Sequence, residues 1–286
     1  MNKEKKERVH LIIFVFVSLV IGWIGVLVNK LLKQEQGVES LGSLLFLVTP
    51  LILSIVFRTM EKDWKHGGLK PNFKGNGKWY AVSIILYPAI TAITVAIALL
   101  TGQIEVNSFS WQDFFPLMLA CVGANFIRNI AEEFSWRGYL TQKLVSFHFK
   151  DWQIYLVTGL TWNLWHGAYY MVFLPDDYVT MSQRITLLVW GCVILVIWSF
   201  LFGELYRLTH SVWPCVLMHA VEDGVPTMLF VTSAFMKLNQ ESSFILDPTQ
   251  GLISLLIMFV VGVYLRRRRQ SLQVDCRSGN SCLLRK

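Results

Sequence analysis

Charged residues are scarce in this chain. Only 16% of its 286 residues are Asp, Glu, Lys or Arg, whereas 54% are hydrophobic, and a soluble globular domain carries about a quarter charged residues. The apolar residues gather in runs that recur from one end to the other, and about 20 apolar residues suffice for a helix to cross the hydrocarbon core. The scarcity of charge therefore excludes a soluble enzyme and predicts an all-α, polytopic integral membrane protein.

Other features are also missing. The five cysteines form no pattern typical of a disulfide framework. The first apolar run follows a basic start but has no small-residue cleavage site, so we interpret it as a retained span rather than a signal peptide. We find no internal repeat, no long low-complexity segment and no second domain. The sequence thus predicts a single integral membrane domain over residues 1–286.

The apolar runs predict about eight transmembrane helices. Basic residues support this topology, because lysine and arginine accumulate in cytoplasmic loops. With both termini cytoplasmic, 21 of the 26 lysine and arginine residues fall inside, four fall outside, and Arg128 lies within a span. The predicted spans are 10–31, 42–58, 79–101, 114–135, 153–174, 185–206, 211–235 and 250–265.

The net charge of +7 is explained by this orientation and by attraction to anionic lipid. It does not indicate a nucleic-acid partner. Residues 266–286 are predicted to form a basic cytoplasmic tail, in which Arg266–Arg269 anchors the last span at the lipid headgroups.

Two adjacent carboxylates end the fourth predicted span. In a helix, Glu133 and Arg137 are four residues apart and pair on one face, with the acid in the favoured N-terminal position. Glu132 points about 100° away and is the carboxylate available to take a proton as a general base. The alternative is that all three charges are solvated at the end of the span.

Two further spans each contribute a histidine. His166 lies in the fifth span, which re-enters the membrane on the side where Glu132 leaves it, so the two residues can approach and hold a water molecule. His219 and Asp223 are four residues apart on the seventh span and can stabilise a developing oxyanion. Each histidine alone is equally compatible with an internal hydrogen bond to a neighbouring helix, and Glu222 has no assigned role. Because ionisable residues inside a bilayer are costly, their recurrence in several spans indicates chemistry in the membrane.

The motifs Glu132-Glu133-x-x-x-Arg137, Trp162-x-x-x-His166 and His219-x-x-x-Asp223 resemble the signature of the CAAX-protease and bacteriocin-processing (CPBP, or Abi) family. The resemblance covers a core of about residues 114–235 and departs from the family pattern twice. Phenylalanine is usual where this chain has Trp162, and asparagine is usual where it has Asp223. Because ionised aspartate only accepts hydrogen bonds, Asp223 would serve an oxyanion site if protonated, or would orient His219 instead.

The resemblance implies an intramembrane endopeptidase that cleaves peptide or protein tails. Glu132 and His166 would activate water, while His219 and Asp223 would form the oxyanion site, with Glu133 and Arg137 in structural support. The chain lacks the His-Glu-x-x-His arrangement of zinc peptidases, so we expect no cofactor, with zinc as the alternative.

The expected partners are a peptide or membrane-protein substrate and the lipid bilayer, and the compact chain favours a bacterial plasma membrane. Substrates in this family range from prenylated tails to bacteriocin and pheromone peptides, so processing and self-immunity are both open roles. Two other functions fit the same residues: a non-catalytic immunity or scaffold protein, and a proton-coupled transporter. The transporter is disfavoured because the chain shows no internal repeat.

Overall fold

The computed structural model describes residues 2–107, 109–176, 179–232 and 235–277, and within them the chain is almost entirely helical. This agrees with the predicted all-α class. The α-helices of this part of the chain are α1 Lys3–Leu31, α2 Leu41–Glu61, α3 Gly77–Leu100, α4 Trp111–Ser135, α5 Gln142–Ser146, α6 Asp151–Trp165, α7 Met181–Thr209, α8 Trp213–Thr227, α9 Gln240–Leu246 and α10 Leu252–Arg277.

The longest apolar helices identify the protein as a polytopic membrane protein. Five helical stretches are long and apolar enough to cross a bilayer, four of them being α1, α2, α3 and α7. The other is the continuous stretch Trp111–Ser146, which contains α4 and α5. The predicted spans 153–174, 211–235 and 250–265 coincide with α6, α8 and α10, which do not meet these criteria of length and composition. The total of eight spans and the cytoplasmic termini therefore stay predictions.

In the described residues, three π-helical segments interrupt the regular helices. They are Trp136–Thr141, Tyr169–Phe173 and Met228–Thr232. As a result, the predicted spans 153–174 and 211–235 are each a 15-residue α-helix followed by a π-helical segment. The first segment contains Arg137, the last residue of the first candidate motif, and the other two segments follow the second and third motifs. Turns of this π-helical kind are frequent at functional sites.

Two short strands pair within the described part of the chain. Strands β1 Ile104–Val106 and β2 Met236–Leu238 pair antiparallel, with Glu105 opposite Lys237. Both strands lie in connecting segments that were expected to be loops. The pairing satisfies backbone groups there, and opposite charges face each other across the ladder.

Two compact units divide the chain. The first comprises the described residues of Met1–Leu69 and Ala131–Ser199, and the second those of Lys70–Ile130 and Phe200–Lys286. Helix α4 is divided between them. Its residues up to Ile130 belong to the second unit, as does α8, and its last residues, including Glu132 and Glu133, belong to the first.

Small residues set the packing of the first unit. A Cβ atom added at Gly25 would lie 2.4 Å from the carbonyl oxygen of Gly42, so α1 and α2 approach as closely as two backbones allow. Asn29 strengthens the same crossing, because its Oδ1 accepts from the backbone N–H of Gly42 at 2.7 Å. Aromatic side chains fill the rest of this core, and Trp136, Trp162 and Trp165 are all at most 2% exposed.

The second unit is held partly by a buried ion pair. Glu204 on α7 is fully buried and accepts from Arg269 on α10 at 2.6 and 2.9 Å. Arg269 is buried because the buried carboxylate of Glu204 needs a counter-charge. The segment that was expected to begin a basic tail at residue 266 is helical as far as Arg277. Residues 278–286 of that predicted tail lie outside the described residues.

Candidate active site

Glu132 is held by a tryptophan on a neighbouring helix. It lies near the C-terminal end of α4 and is only 5% exposed. The indole N–H of Trp162 on α6 donates to Glu132 Oε2 at 3.0 Å. An indole N–H can only donate, and an ionised carboxylate can only accept. The contact therefore fixes the orientation of the Glu132 carboxylate.

His166 caps the C-terminal end of α6, four residues after the same tryptophan. Its Nδ1 lies 2.9 Å from the backbone carbonyl oxygen of Trp162. A carbonyl only accepts, so the proton of a neutral ring belongs on Nδ1, and Nε2 carries the lone pair. The ring stacks on Tyr170 with centroids 5.2 Å apart and meets Trp165 edge-on at 4.6 Å. Trp162 is thus hydrogen-bonded to both residues: its indole N–H to Glu132, and its backbone carbonyl to His166.

The Glu133–Arg137 ion pair lies behind this tryptophan. Arg137 Nη1 donates to Glu133 Oε1 at 2.7 Å, and both side chains are completely buried. The Arg137 guanidinium also stands 4.2 Å from the centroid of the Trp162 ring, a cation–π contact. Trp162 is therefore held on its face by Arg137 while its edge bonds to Glu132.

A second set of polar residues surrounds Asp223 in the other unit. Arg128 Nη2 and Asn129 Nδ2 both donate to Asp223 Oδ2, at 2.8 and 2.7 Å. His219 Nε2 lies 3.8 Å from the same oxygen, which is the range of an ion pair rather than of a hydrogen bond. Asp223 is accordingly an acceptor for Arg128 and Asn129, and it faces His219 without a direct hydrogen bond.

Sequence reasoning missed three contributions to these sites. Arg128 was recognised as a charge within a span but received no partner, although an isolated arginine in an apolar run is itself a signal. Asn129 was not considered. Trp162 was treated as an aromatic replacement, yet its N–H is the feature that phenylalanine lacks.

A zinc ion, the alternative to a site without a cofactor, would need several ligand atoms close together. In the described part of the chain, one group has ligand atoms close enough to share an ion: His219, Glu222 and Asp223, within 4.8 Å of one another. However, Asp223 Oδ2 already accepts from the Arg128 guanidinium at 2.8 Å. A fixed cation at that distance repels a second one. Glu222 is buried beside His219, and it remains without an assigned role.

A charged network supports the π-helical segment that contains Arg137. Arg58 on α2 donates to the carbonyl of Gly138 and lies 3.6 Å from Asp63, while Lys143 lies 3.1 Å from Asp63. Burial alone raises the pKa of Asp63, but hydrogen bonds from His66 and Lys143 and the charges of Lys143 and Arg58 outweigh it and hold this pKa below its ordinary value. The network therefore favours an ionised Asp63 beside the segment.

Comparison with known proteins bears on the central part of the chain. Residues 113–225 match the family model described as Type II CAAX prenyl endopeptidase Rce1-like, which confirms the resemblance to CAAX proteases predicted from the motifs. A search of the curated proteins gave no match. The matched segment contains the motifs with Glu132, His166, His219 and Asp223. This family indicates a membrane peptidase with a peptide substrate.

Proposed function

Starting from the Rce1-like match, we propose that this protein is an intramembrane endopeptidase in which Glu132 is the general base and His166 holds the attacking water. The observation that supports this most is their common attachment to Trp162. The indole orients the carboxylate, and the backbone carbonyl fixes His166 as the tautomer with an unprotonated Nε2. These are the two acceptors that a water molecule needs in order to be positioned and deprotonated.

The reaction then follows from these groups alone. Water donates one hydrogen bond to His166 Nε2 and transfers its other proton to Glu132 as its oxygen bonds to the carbonyl carbon. The carbonyl oxygen becomes an oxyanion, which the positive site around His219 and Asp223 stabilises. When the tetrahedral intermediate collapses, the carbon–nitrogen bond breaks and Glu132 returns its proton to the leaving amine. One water is consumed, and no redox partner is required.

The family description and the membrane support two candidate substrate classes. A prenylated Cys-aliphatic-aliphatic-X tail is the first candidate, because the matched family is described as acting on such tails. Processing of bacteriocin or pheromone precursors, or self-immunity in a bacterial plasma membrane, is the second. Prenylated tails and bacteriocin or pheromone precursors are both peptides presented at a bilayer, so the proposed site would serve either class of substrate.

The test is peptide cleavage by purified protein in proteoliposomes. Fluorogenic prenylated tails and peptide precursors serve as substrates, and the variants are Glu132→Ala and His166→Ala. Each should lower kcat/KM by at least about 100-fold, because each removes one of the acceptors of the water. Glu39→Ala is the matched control, since Glu39 is an exposed carboxylate before α2.

Full activity in either site variant would remove the role assigned to that residue. A biological phenotype that survives Glu132→Ala at normal protein levels would favour the non-catalytic immunity or scaffold function instead.

A further inference from the structure

The oxygen of Asp223 that faces His219 is surrounded by donors. Arg128 and Asn129 are consecutive residues of α4, and both hydrogen-bond to Oδ2 of Asp223 on α8. His219 Nε2 is the third nitrogen near that oxygen. An aspartate bound to a guanidinium is ionised, and an ionised carboxylate has no hydrogen to give. Asp223 therefore cannot itself donate to an oxyanion.

The two donors on α4 differ in accessibility. Asn129 is completely buried, so its amide is enclosed with Asp223. The Arg128 side chain is 42% exposed and that of Asp223 is 20% exposed. Contact between a guanidinium and hydrocarbon is costly, so the exposed part of Arg128 belongs against water or a polar ligand. Arg128 is thus the accessible positive charge of this cluster.

We propose that Arg128 is a further catalytic residue, which binds the developing oxyanion while Asp223 orients it. This inference rests on the proposed peptidase function. A guanidinium carries five N–H donors in a rigid fork, so its hydrogen bond to Asp223 orients the whole group. As water adds to the carbonyl carbon, the electron pair of the C=O bond moves to oxygen. Arg128 stabilises that charge and keeps its own protons throughout.

This assignment gives Asp223 a role that asparagine would not need. Asparagine at this position would offer its own amide N–H to the oxyanion. Aspartate instead holds a charged donor from α4 in position, and the site gains a full positive charge where it loses a neutral donor. His219 remains the neighbouring donor.

A double-mutant cycle separates this role from simple charge neutralisation. The variants are Arg128→Gln, Asp223→Ala and the two together, measured as kcat and KM on the same peptide in proteoliposomes. Alanine is used at position 223 because asparagine would add an amide donor of its own. Arg128→Gln should lower kcat about 100-fold with little change in KM, as expected for the loss of an oxyanion donor. In Arg128→Gln the Asp223 carboxylate loses its guanidinium partner. The double variant removes that carboxylate as well but restores no cationic donor, so its kcat should remain at least about tenfold below that of the wild type.

The controls address folding and the proposed function. Arg128→Lys keeps the charge and should retain more activity than Arg128→Gln. Arg8→Gln, at an exposed arginine of α1, should behave as the wild type. Monodispersity in detergent and thermal unfolding show whether each variant folds.

Two results would overturn the inference alone while Glu132→Ala remains inactive: a kcat of Arg128→Gln within about threefold of the wild type, or full recovery in the double variant. The second would mean that Arg128 only neutralises Asp223. A wild-type protein that cleaves no peptide would instead refute the proposed function and the inference with it.

Discussion

Trp162 connects more of the candidate chemistry than any other described residue. Its indole N–H bonds to Glu132, its carbonyl oxygen bonds to His166, and its ring lies beneath the Arg137 guanidinium. The aromatic character of the position was evident from the sequence. The hydrogen bond was not, because Glu132 and Trp162 are 30 residues apart and spacing within one helix says nothing about a contact between helices.

Trp162→Phe isolates that hydrogen bond. Phenylalanine keeps a ring for Arg137 but has no N–H, so Glu132 loses its orienting donor. A hydrogen bond to a charged group contributes about 1.5–3 kcal/mol, so we expect kcat to fall by about 10- to 100-fold, with KM changing less. Trp198→Phe is the control. Trp198 packs against Trp162 with ring centroids 5.9 Å apart, so this variant removes an indole from the same core without removing the donor to Glu132. Equal kcat values for the two variants would contradict the role of the N–H.

The ion pair Glu133–Arg137 was predicted from helical spacing, and its burial sets its energetic importance. Arg137→Ala leaves a buried carboxylate without this partner, which costs about 3–5 kcal/mol of unfolding free energy. Arg8→Ala breaks an exposed pair of the same spacing, Glu4–Arg8, and should cost less than about 1 kcal/mol. Thermal unfolding in detergent should therefore separate the two variants clearly. Similar losses would show that the buried pair contributes no more than a surface pair.

At the scale of the element, hydropathy and charge predicted where the helices are but not how they are interrupted. Each predicted span coincides with a helix, because apolar runs of that length have few alternatives in a bilayer. The π-helical segments were not predicted, since a widened turn of five or six residues leaves the hydrophobic pattern almost unchanged. One of them, Tyr169–Phe173, begins three residues after His166, so this histidine lies where α6 ends and shortly before the widened turn.

The π-helical segment Trp136–Thr141 depends on a charged network with a defined pH response. Because the pKa of Asp63 is below its ordinary value of 3.8 in the folded protein, its stabilising effect is complete above that value and is lost as pH falls through the lowered pKa. Asp63→Asn should therefore lower the unfolding temperature at neutral pH and make less difference in acid. Unfolding scans from about pH 7 to pH 3 test this. A difference that grows toward acid would contradict the sign.

At the scale of the whole molecule, composition and the recurring apolar runs were sufficient to predict a polytopic membrane protein, and three short motifs predicted the family model that residues 113–225 match. Two things could not be predicted. Arg128 and Asp223 are 95 residues apart in the chain, and their pairing depends on how α4 meets α8. The burial of Arg269 against Glu204 depends likewise on the packing of α7 with α10, so the sequence predicted only that Arg266–Arg269 anchors the last span at the lipid headgroups.

The central claim is that Glu132 takes the proton of the attacking water, and Glu132→Gln tests it most directly. Glutamine keeps the shape of glutamate and an oxygen that accepts from Trp162 Nε1, but it cannot act as a base at neutral pH. The measurement is kcat/KM of the wild type and of Glu132→Gln on one membrane-presented peptide. We predict cleavage by the wild type and a loss of at least about 1,000-fold in the variant. Cleavage by Glu132→Gln at a rate near that of the wild type would contradict the account.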